Sequence, residues 1–382
     1  MVVLMGGACV ETGSEYDVVV ALNYYAPYVS GVTEAARVTA EGFAARGFRV
    51  LVVAARHDPG TPTKETHNGV DVIRTAVVAR IGKGIVSPSF VSTVARWARH
   101  ARVLHLHLPM LEAGLICAAV RRTPIVVTYQ CDVTLPPGAF NRFQVAMLDV
   151  SHARAMRRAS AIIVTSADYA ASSRLWTSMA GRIHAIPAPA VDRSGGQPSF
   201  RDGAGLHVGF LGRIVEEKGL EYLVEGFRRV AARDARLLIG GDYSSVAGGS
   251  VVEKVRAAIG DDPRISLLGF LADEQLPDFY ASLDVFALPS VNALEAYGIV
   301  QVEALMQGVP VVASDLPGVR MPVRDTGFGR IVPPRDAPAI TRALEELAHA
   351  DMDARACAAI ARSRYWAPSV VDRHIDLFAS LW

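Results

Sequence analysis

The sequence predicts an α/β protein built from two doubly wound, Rossmann-like domains that face each other across a cleft. Short apolar runs rich in β-branched residues recur along the chain, and longer helical segments follow them. A Pro- and Gly-rich stretch divides these runs into two successive sets. Continuous rather than alternating hydrophobicity is typical of parallel strands covered by helices on both faces. With 382 residues, the chain can build two hydrophobic cores.

The first set of predicted strands precedes the Pro- and Gly-rich stretch. These strands cover residues 17–23, 49–55, 103–108, 124–129, 161–166 and 182–187. Residues 31–47 and 142–160 have helical spacing with few helix breakers. This alternation predicts one doubly wound domain over residues 16–190.

A linker and a second domain follow. Residues 191–205 have linker composition, with Ser, Gly and Pro in close succession. The second set of predicted strands covers residues 206–211, 236–239, 265–268, 284–288, 309–313 and 329–332. We therefore assign the second domain to residues 206–365 and a C-terminal amphipathic helix to residues 366–382.

Composition excludes several classes of function. The net charge of +1 gives no basic field for nucleic acid, and no apolar run reaches the length of a membrane span. The four cysteines, which show neither metal spacing nor a disulfide framework, fit a cytoplasmic protein: Cys9, Cys117, Cys131 and Cys357. Residues 1–15 lack the positive segment of a signal peptide, so we expect a flexible extension.

Two carboxylates stand out in the second half. Glu295 and Glu303 are separated by seven residues, and a turn-like segment precedes them. If both lay on one helix, they would share nearly the same face, about 12 Å apart. The pair is compatible with general acid–base chemistry or with binding of hydroxyls on either side of a phosphate.

Two cations follow the first strand of the second domain. Arg213 and Lys218 lie five residues apart after a Gly turn, where open α/β sheets bind their ligands. A planar guanidinium and a mobile ammonium are suited to clamp a diphosphate. The alternative is a solvated helix start in which Glu216 and Glu217 pair with them.

These motifs occur together, and the combination resembles retaining GT-B glycosyltransferases of family 4. Gly212-Arg213 and Lys218-Gly219 are followed, about eighty residues later, by the two glutamates and then by Glu303-Ala-Leu-Met with Gly308-Val-Pro-Val-Val-Ala-Ser314. The resemblance implies that Arg213 and Lys218 hold the donor diphosphate. It also implies that Glu295 binds the transferred sugar, that Glu303 binds the ribose, and that the C-terminal helix packs back on the first domain.

Further donor contacts follow from sequence position. Tyr297, Gly298 and Ile299 would offer backbone N–H groups to phosphate at a helix start. Phe270 and Leu271 match the position where family members stack the nucleobase. The Tyr243 side chain, where the family has a small residue, could narrow this pocket or point to solvent. We expect a nucleotide-diphosphate-sugar substrate, UDP- rather than GDP-linked, and neither a cofactor nor a metal ion.

The first domain is expected to bind the acceptor. Family members carry a Pro-x-x-Gly-Gly loop after the first strand; here only Gly31 remains, facing the donor phosphates, and Tyr25 and Tyr28 are candidates for an acceptor wall. A plain βα turn is the competing interpretation. The next match, residues 126–132, has Gln130 where relatives have His, and it ends at Asp132.

Gln130 cannot carry a proton near neutral pH as imidazole can. In a retaining, front-face reaction the leaving phosphate can take the acceptor proton, so we interpret Gln130 as a positioning residue. His105 and His107 alternate on a strand and share one face, but no further ligands at metal spacing accompany them. We predict His107 and Asp132 near the acceptor.

The sequence thus predicts a retaining glycosyltransferase acting on a small soluble sugar, aminocyclitol or natural product. The alternatives are a transferase acting on a lipid-linked envelope precursor, an epimerase or phosphorylase of the same fold, and a non-catalytic nucleotide-sugar-binding protein. A predicted helix over residues 91–102 carries Arg96, Trp97, Arg99 and Arg102, too few basic residues for more than peripheral membrane contact. The oligomeric state is left open.

Overall fold

The computed structural model describes residues 14–28, 30–81, 84–243 and 250–382. The predicted N-terminal extension therefore lies, apart from Ser14 and Glu15, outside the described residues. Within these ranges the chain forms two sheets flanked by helices, which confirms the predicted pair of Rossmann-like domains.

The first sheet has eight strands in the order β10-β9-β8-β7-β1-β2-β4-β3. All neighbours pair in parallel except β3 with β4. The strands are β1 (Tyr16–Ala21), β2 (Val50–Ala55), β3 (Lys64–His67), β4 (Val70–Thr75), β7 (Ala101–Leu108), β8 (Ile125–Tyr129), β9 (Ala161–Val164) and β10 (Ile183–Ala185), with a separate hairpin of β5 (Ala79–Ile81) and β6 (Gly84–Val86). Strands β3 to β6 were not predicted from the sequence: β3 is a four-residue edge strand, β5 and β6 have three residues each, and β4 is a six-residue strand between β2 and β3.

The described residues of this half form six α-helices. They are α1 (Gly31–Ala45), α2 (Pro88–Ala98), α3 (Ala113–Ala119), α4 (Ala139–Arg158), α5 (Ala167–Ser172) and α6 (Trp176–Met179). The predicted helix over residues 91–102 was placed too late, because Pro88 begins α2 and Arg102 already lies on β7.

The second sheet has six parallel strands in the order β13-β12-β11-β14-β15-β16. They are β11 (His207–Leu211), β12 (Arg236–Gly240), β13 (Ile265–Gly269), β14 (Val285–Leu288), β15 (Val311–Ser314) and β16 (Gly329–Val332). The helices are α7 (Leu220–Arg228), α8 (Val252–Ile259), α9 (Leu276–Ala281), α10 (Ile299–Met306), α11 (Met321–Thr326), α12 (Ala337–Ala348), α13 (Ala354–Tyr365) and α14 (Ala367–Ala379). The order reverses between β11 and β14, where open α/β sheets bind ligands.

The chain passes between the two halves at two adjacent points. Ala190 donates its N–H to the Tyr365 carbonyl (3.0 Å), and Ala367 donates its N–H to the Ala190 carbonyl (2.9 Å). The last helix, α14, packs on α1: the rings of Phe43 and Phe378 lie 5.3 Å apart. The two crossings therefore run side by side and are joined by backbone hydrogen bonds.

The segment predicted as a linker follows the surface of the second half. Gly196 lies directly against the backbone of Pro277, where a Cβ atom would come within 2.1 Å of the Pro277 carbonyl carbon. Arg201 pairs with Asp284 at 3.0 Å. Ion pairs and close backbone contacts thus fix these residues, although their composition is typical of a flexible connection.

Candidate functional site

The loops at the carboxyl ends of β11, β12 and β13 lie in direct contact. Gly212 donates its N–H to the Gly240 carbonyl (3.0 Å), and Gly241 donates to the Gly269 carbonyl (2.7 Å). Gly241 has φ +153°, and a Cβ atom there would lie 1.8 Å from the Gly212 carbonyl oxygen. Only glycine permits this approach. The three loops form one wall of the cleft.

Lys218 and Glu295 meet at this wall. The Lys218 ammonium forms a close ion pair with the Glu295 carboxylate, and each side chain is only 14% exposed. The Val291 N–H donates to the Glu217 carbonyl (3.0 Å), so the turn carrying Lys218 and the loop carrying Glu295 are joined through the backbone as well. Both charges are therefore largely shielded from water within the wall of the cleft.

The expectation that Glu295 and Glu303 share one helix face is wrong. Helix α10 begins at Ile299, so Glu295 lies four residues before it, in a loop, whereas Glu303 lies within the helix. The chain turns at Gly298, which has φ +81°, and a Cβ atom there would come within 2.3 Å of Leu288. This left-handed turn prevents the helix from extending back to Glu295.

The start of α10 presents backbone rather than side chains. The Tyr297 side chain is buried, with its ring 6.3 Å from that of Tyr365. The first N–H groups of a helix have no intrahelical partners, and the helix dipole attracts anions to them. Gly298 and Ile299 lie at this helix start, and their contact with a phosphate through backbone N–H groups stays a prediction.

Glu303 is buried in a polar network. It accepts hydrogen bonds from Arg193 Nε (3.2 Å) and from the Tyr280 hydroxyl (2.9 Å), while Arg193 also pairs with Asp273 (3.0 Å). Burial raises the pKa of Glu303, and the Arg193 charge opposes that rise. The sequence analysis missed Arg193, because an arginine in a stretch of linker composition gives no signal of its role.

Arg213 and the predicted base-binding residues differ in exposure. Among the described residues the Arg213 guanidinium pairs with Glu217 alone, at 3.5 Å, and its side chain is 45% exposed. Phe270 is 73% exposed, whereas Leu271 is buried beneath Gly240. Tyr243 packs on the hydrophobic core of this domain, with the Arg256 guanidinium 5.5 Å from its ring centre. Of these side chains, Arg213 and Phe270 are the accessible ones.

The first half of the chain holds the loop that carries Glu295. The Tyr169 hydroxyl donates to the Ala293 carbonyl (3.1 Å) and accepts from the Asp132 N–H (2.8 Å). Ala296 packs into the core of the first half. The position of Glu295 therefore depends on both halves of the molecule.

A second contact across the cleft lies beside the first. The Arg320 guanidinium binds the Asp168 carboxylate through two hydrogen bonds (2.9 and 2.7 Å), and the Gly318 N–H adds a third (2.9 Å). Burial alone would raise the pKa of Asp168, but the hydrogen bonds from Arg320 and Gly318 lower it below its usual value. This contact stabilises the docked arrangement of the two halves.

The loop after β1 only partly fits its predicted role. Gly31 is the first residue of α1, and a Cβ atom there would meet nothing within 4 Å. Tyr25 is 3% exposed and packs in the core beneath α1, so its prediction as an acceptor wall is wrong. Tyr28 is half-buried and stacks on Tyr24 at 4.6 Å. Its acceptor role stays a prediction.

Gln130 lies at the carboxyl end of β8 beside buried histidines. Its amide nitrogen is 3.4 Å from His107 Nδ1, and the His105 ring lies 4.2 Å from the His107 ring. Burial lowers the pKa of His107 to about 3 and that of His105 well below its usual value. Both imidazoles are therefore neutral at neutral pH. A cavity of about 20 Å³, room for one water molecule, adjoins His107 and Gln130.

The Asp132 carboxylate makes its contacts within the first half of the chain. Its carboxylate accepts hydrogen bonds from the Tyr129 hydroxyl and from Ser173 (2.9 Å), and Arg174 approaches it at 3.7 Å. These contacts tie β8 to α5 and α6. An additional acceptor contact by Asp132 stays a prediction. Within the described ranges no group of three or more His, Cys, Asp or Glu side chains could hold a metal ion.

Comparisons with known proteins identify the family. Residues 205–350 match the family described as glycosyl transferases group 1, and residues 30–189 match the glycosyl transferase 4-like domain. A phosphatidyl-myo-inositol mannosyltransferase of Mycobacterium leprae is 32% identical over 332 residues, which cover 82% of each chain. The chain therefore belongs to the group 1 glycosyltransferases, which have the GT-B fold.

Two further relatives are informative. A 2-deoxystreptamine glucosyltransferase of Streptomyces kanamyceticus is 30% identical over 59% of this chain, and the match spans 62% of that relative's length. The solved structure of Anabaena HepE in complex with UDP superposes with a TM-score of 0.70, covering 95% of this chain and all of the other at 18% identity. The second match shows the fold alone.

We predict that Lys218→Ala or Glu295→Ala lowers the rate of sugar transfer at least about a hundredfold, because each substitution removes one partner of the ion pair at the wall of the cleft. Turnover at saturating donor concentration measures the effect, and the thermal unfolding temperature checks that the fold persists. Glu225→Ala, which removes an exposed pair with Arg229 on α7, is the matched control. Near-normal turnover of either site variant would contradict the assignment.

We also predict that Asp168→Asn lowers the free energy of unfolding by roughly 1–3 kcal/mol at neutral pH, the range for hydrogen bonds to charged groups. Because the native pKa of Asp168 is lowered, this stabilisation is complete above the ordinary Asp pKa of about 3.9 and is lost as pH falls through the native value. Denaturant unfolding at a series of pH values measures the difference. An equal difference at acid and neutral pH would disprove the role of the charge.

Proposed function

We propose that the protein transfers a sugar from a nucleotide-diphosphate-sugar donor to an acceptor hydroxyl, with retention of anomeric configuration and without a metal ion. The observation that carries this proposal is the ion pair between Lys218 and Glu295, whose loop precedes α10 and is held by a hydrogen bond from the opposite half of the molecule. In this proposal Lys218, Arg213 and the N–H groups at Gly298 and Ile299 supply the positive potential that a diphosphate needs.

The two glutamates take different donor contacts in this proposal. Glu295 accepts a hydrogen bond from a hydroxyl of the transferred sugar, and its ion pair with Lys218 brings the sugar next to the diphosphate site. Glu303 accepts hydrogen bonds from the ribose hydroxyls. A carboxylate has about four acceptor positions, and Glu303 uses two of them for Arg193 and Tyr280. The network thus leaves positions for the ribose and holds the carboxylate rigid.

The proton of the acceptor hydroxyl goes to the leaving phosphate oxygen in the proposed reaction. Gln130 has no titratable proton near neutral pH, and the buried His107 is neutral there. Gln130 therefore acts as a positioning residue, with its amide held by the His107 ring. The same exchange of His for Gln also motivates the competing hypothesis of a non-catalytic nucleotide-sugar-binding protein.

For the donor we propose a UDP-sugar rather than a GDP-sugar. The complex of Anabaena HepE with UDP supports this choice. The exposed Phe270 ring beside Leu271 offers an apolar face on which a base can stack. Stacking of this kind tolerates different bases, so the preference must be measured.

For the acceptor we propose a small soluble sugar, aminocyclitol or natural product, as the sequence predicted. The similarity to the 2-deoxystreptamine glucosyltransferase supports it. A lipid-linked acceptor is the second candidate, because the mannosyltransferase of Mycobacterium leprae matches over a longer stretch. No helix within the described ranges is long and apolar enough to span a bilayer. A cytoplasmic location, proposed from the sequence, agrees with the thiols of Cys117 and Cys357, which form no disulfide within the described residues.

A panel of UDP-, GDP- and dTDP-sugars tests this function. We expect one UDP-sugar to raise the thermal unfolding temperature, because a tightly bound donor stabilises the folded state. We also expect nucleotide release only when a cyclitol or sugar acceptor is present. Donor binding without release in any acceptor mixture would favour the non-catalytic protein, and donor conversion without acceptor would favour an epimerase.

A second prediction concerns Gln130. Gln130→Ala should raise the acceptor KM and leave the shape of the pH–rate profile unchanged, because the residue positions the acceptor and transfers no proton. Thr134→Ala, an exposed change four residues further along the same loop, serves as the control. An unchanged acceptor KM in Gln130→Ala would contradict the positioning role.

A further inference from the structure

Helix α4 exposes a stripe of large apolar side chains. Phe140, Phe143, Met147 and Val150 recur at helical spacing, so they point to one side of the helix, and Phe140 and Phe143 are 63% and 61% exposed. Leu115 of α3, which packs beside α4, is 65% exposed. We call these five residues the α3–α4 face. Contiguous exposed apolar side chains of this kind mark interaction sites in soluble proteins.

The same half of α4 receives little support from the rest of the fold. All buried residues of the helix lie in its C-terminal half: Ser151, His152, Ala155 and Met156. Three helical turns over residues 139–150 therefore contain no fully buried side chain. Most helical stability in proteins comes from packing of one face, so a partner that covers the α3–α4 face would stabilise these turns.

Charge indicates which partner fits. The apolar stripe continues along the same side of α4 into Arg154 and Arg157, both exposed. In the described part of the chain neither guanidinium lies within ion-pair distance of a carboxylate. The helix carries one acid, Asp149, which is already paired with Arg174. An apolar stripe that continues into unpaired arginines complements a surface with acyl chains beneath anionic headgroups.

We propose that the α3–α4 face docks on an anionic lipid bilayer. Phe140, Phe143 and Leu115 enter the interface between headgroups and acyl chains, while Arg154 and Arg157 contact the phosphates. The face adjoins the cleft, because Arg174 contacts both Asp149 of α4 and Asp132 after β8. Only one consequence rests on the proposed function: docking would bring the acceptor side of the cleft close to a membrane.

Flotation with lipid vesicles tests this docking without donor or acceptor. The full chain should bind vesicles of phosphatidylglycerol and phosphatidylcholine, and bind vesicles of phosphatidylcholine alone far more weakly. The double variant Phe140→Ser and Phe143→Ser should lower the partition coefficient at least about tenfold, since two aromatic side chains that would become buried in the bilayer interface are lost. Ile360→Ser, an exposed apolar position on α13, is the matched control and should bind as the natural sequence does.

Charge reversal tests the contribution of the arginines separately from that of the apolar side chains. Arg154→Glu with Arg157→Glu should abolish the preference for phosphatidylglycerol, whereas Arg342→Glu on α12 should not. Both the α4 variants and their controls should keep the donor-induced rise in unfolding temperature, so a failure of docking is distinct from a failure of the donor site. Equal binding by the Phe140/Phe143 variant, or no binding by the natural sequence, overturns the proposal. A dimer that these substitutions dissociate would also overturn it, because a second copy would then cover the face.

Discussion

The position of Glu295 depends on a hydrogen bond made by a residue of the other half of the molecule. Tyr169 links the Asp132 backbone to the Ala293 carbonyl, and Ala296 enters the core of the first half. An ion pair between Lys218 and a carboxylate on a loop would otherwise lose side-chain and loop entropy on forming. Because the loop is held from both sides, that entropy is already lost on folding, and the two charges keep one geometry.

The same contacts explain why the loop glycines matter. Gly298 ends the loop with a left-handed turn, and Gly241 allows the β11 and β12 loops to touch. The wall of the cleft is therefore backbone packed on backbone, with few side chains that can rotate. Arg213 and Phe270 are exceptions, and the exposed Arg213 guanidinium is free to turn toward a charged group in the cleft. The site combines a rigid ion pair with one adaptable cation.

The sequence allowed the two-domain architecture to be predicted, because apolar runs in buried parallel strands are continuous and need no long-range information. It misplaced Glu295, since spacing alone cannot show that a helix begins at Ile299 rather than earlier. Tyr25 was misjudged because an aromatic residue in a loop can as well belong to the core. Arg193 left no trace, because its contact with Glu303 joins residues far apart in the chain. Motifs indicated the candidate residues, whereas their arrangement depends on tertiary contacts that the motifs do not encode.

The paired crossings at Ala190 and residues 365–367 constrain how the cleft can open. The two crossing segments are joined by backbone hydrogen bonds, which would allow one half to rotate about the crossing but would resist sliding of one half past the other. Points near this pivot move least when one half turns against the other, and points far from it move most. A rotation about this position would change the width of the cleft mouth while leaving the contacts at Ala190 nearly unchanged, so the hinge and the ligand-facing walls can respond separately to substitutions.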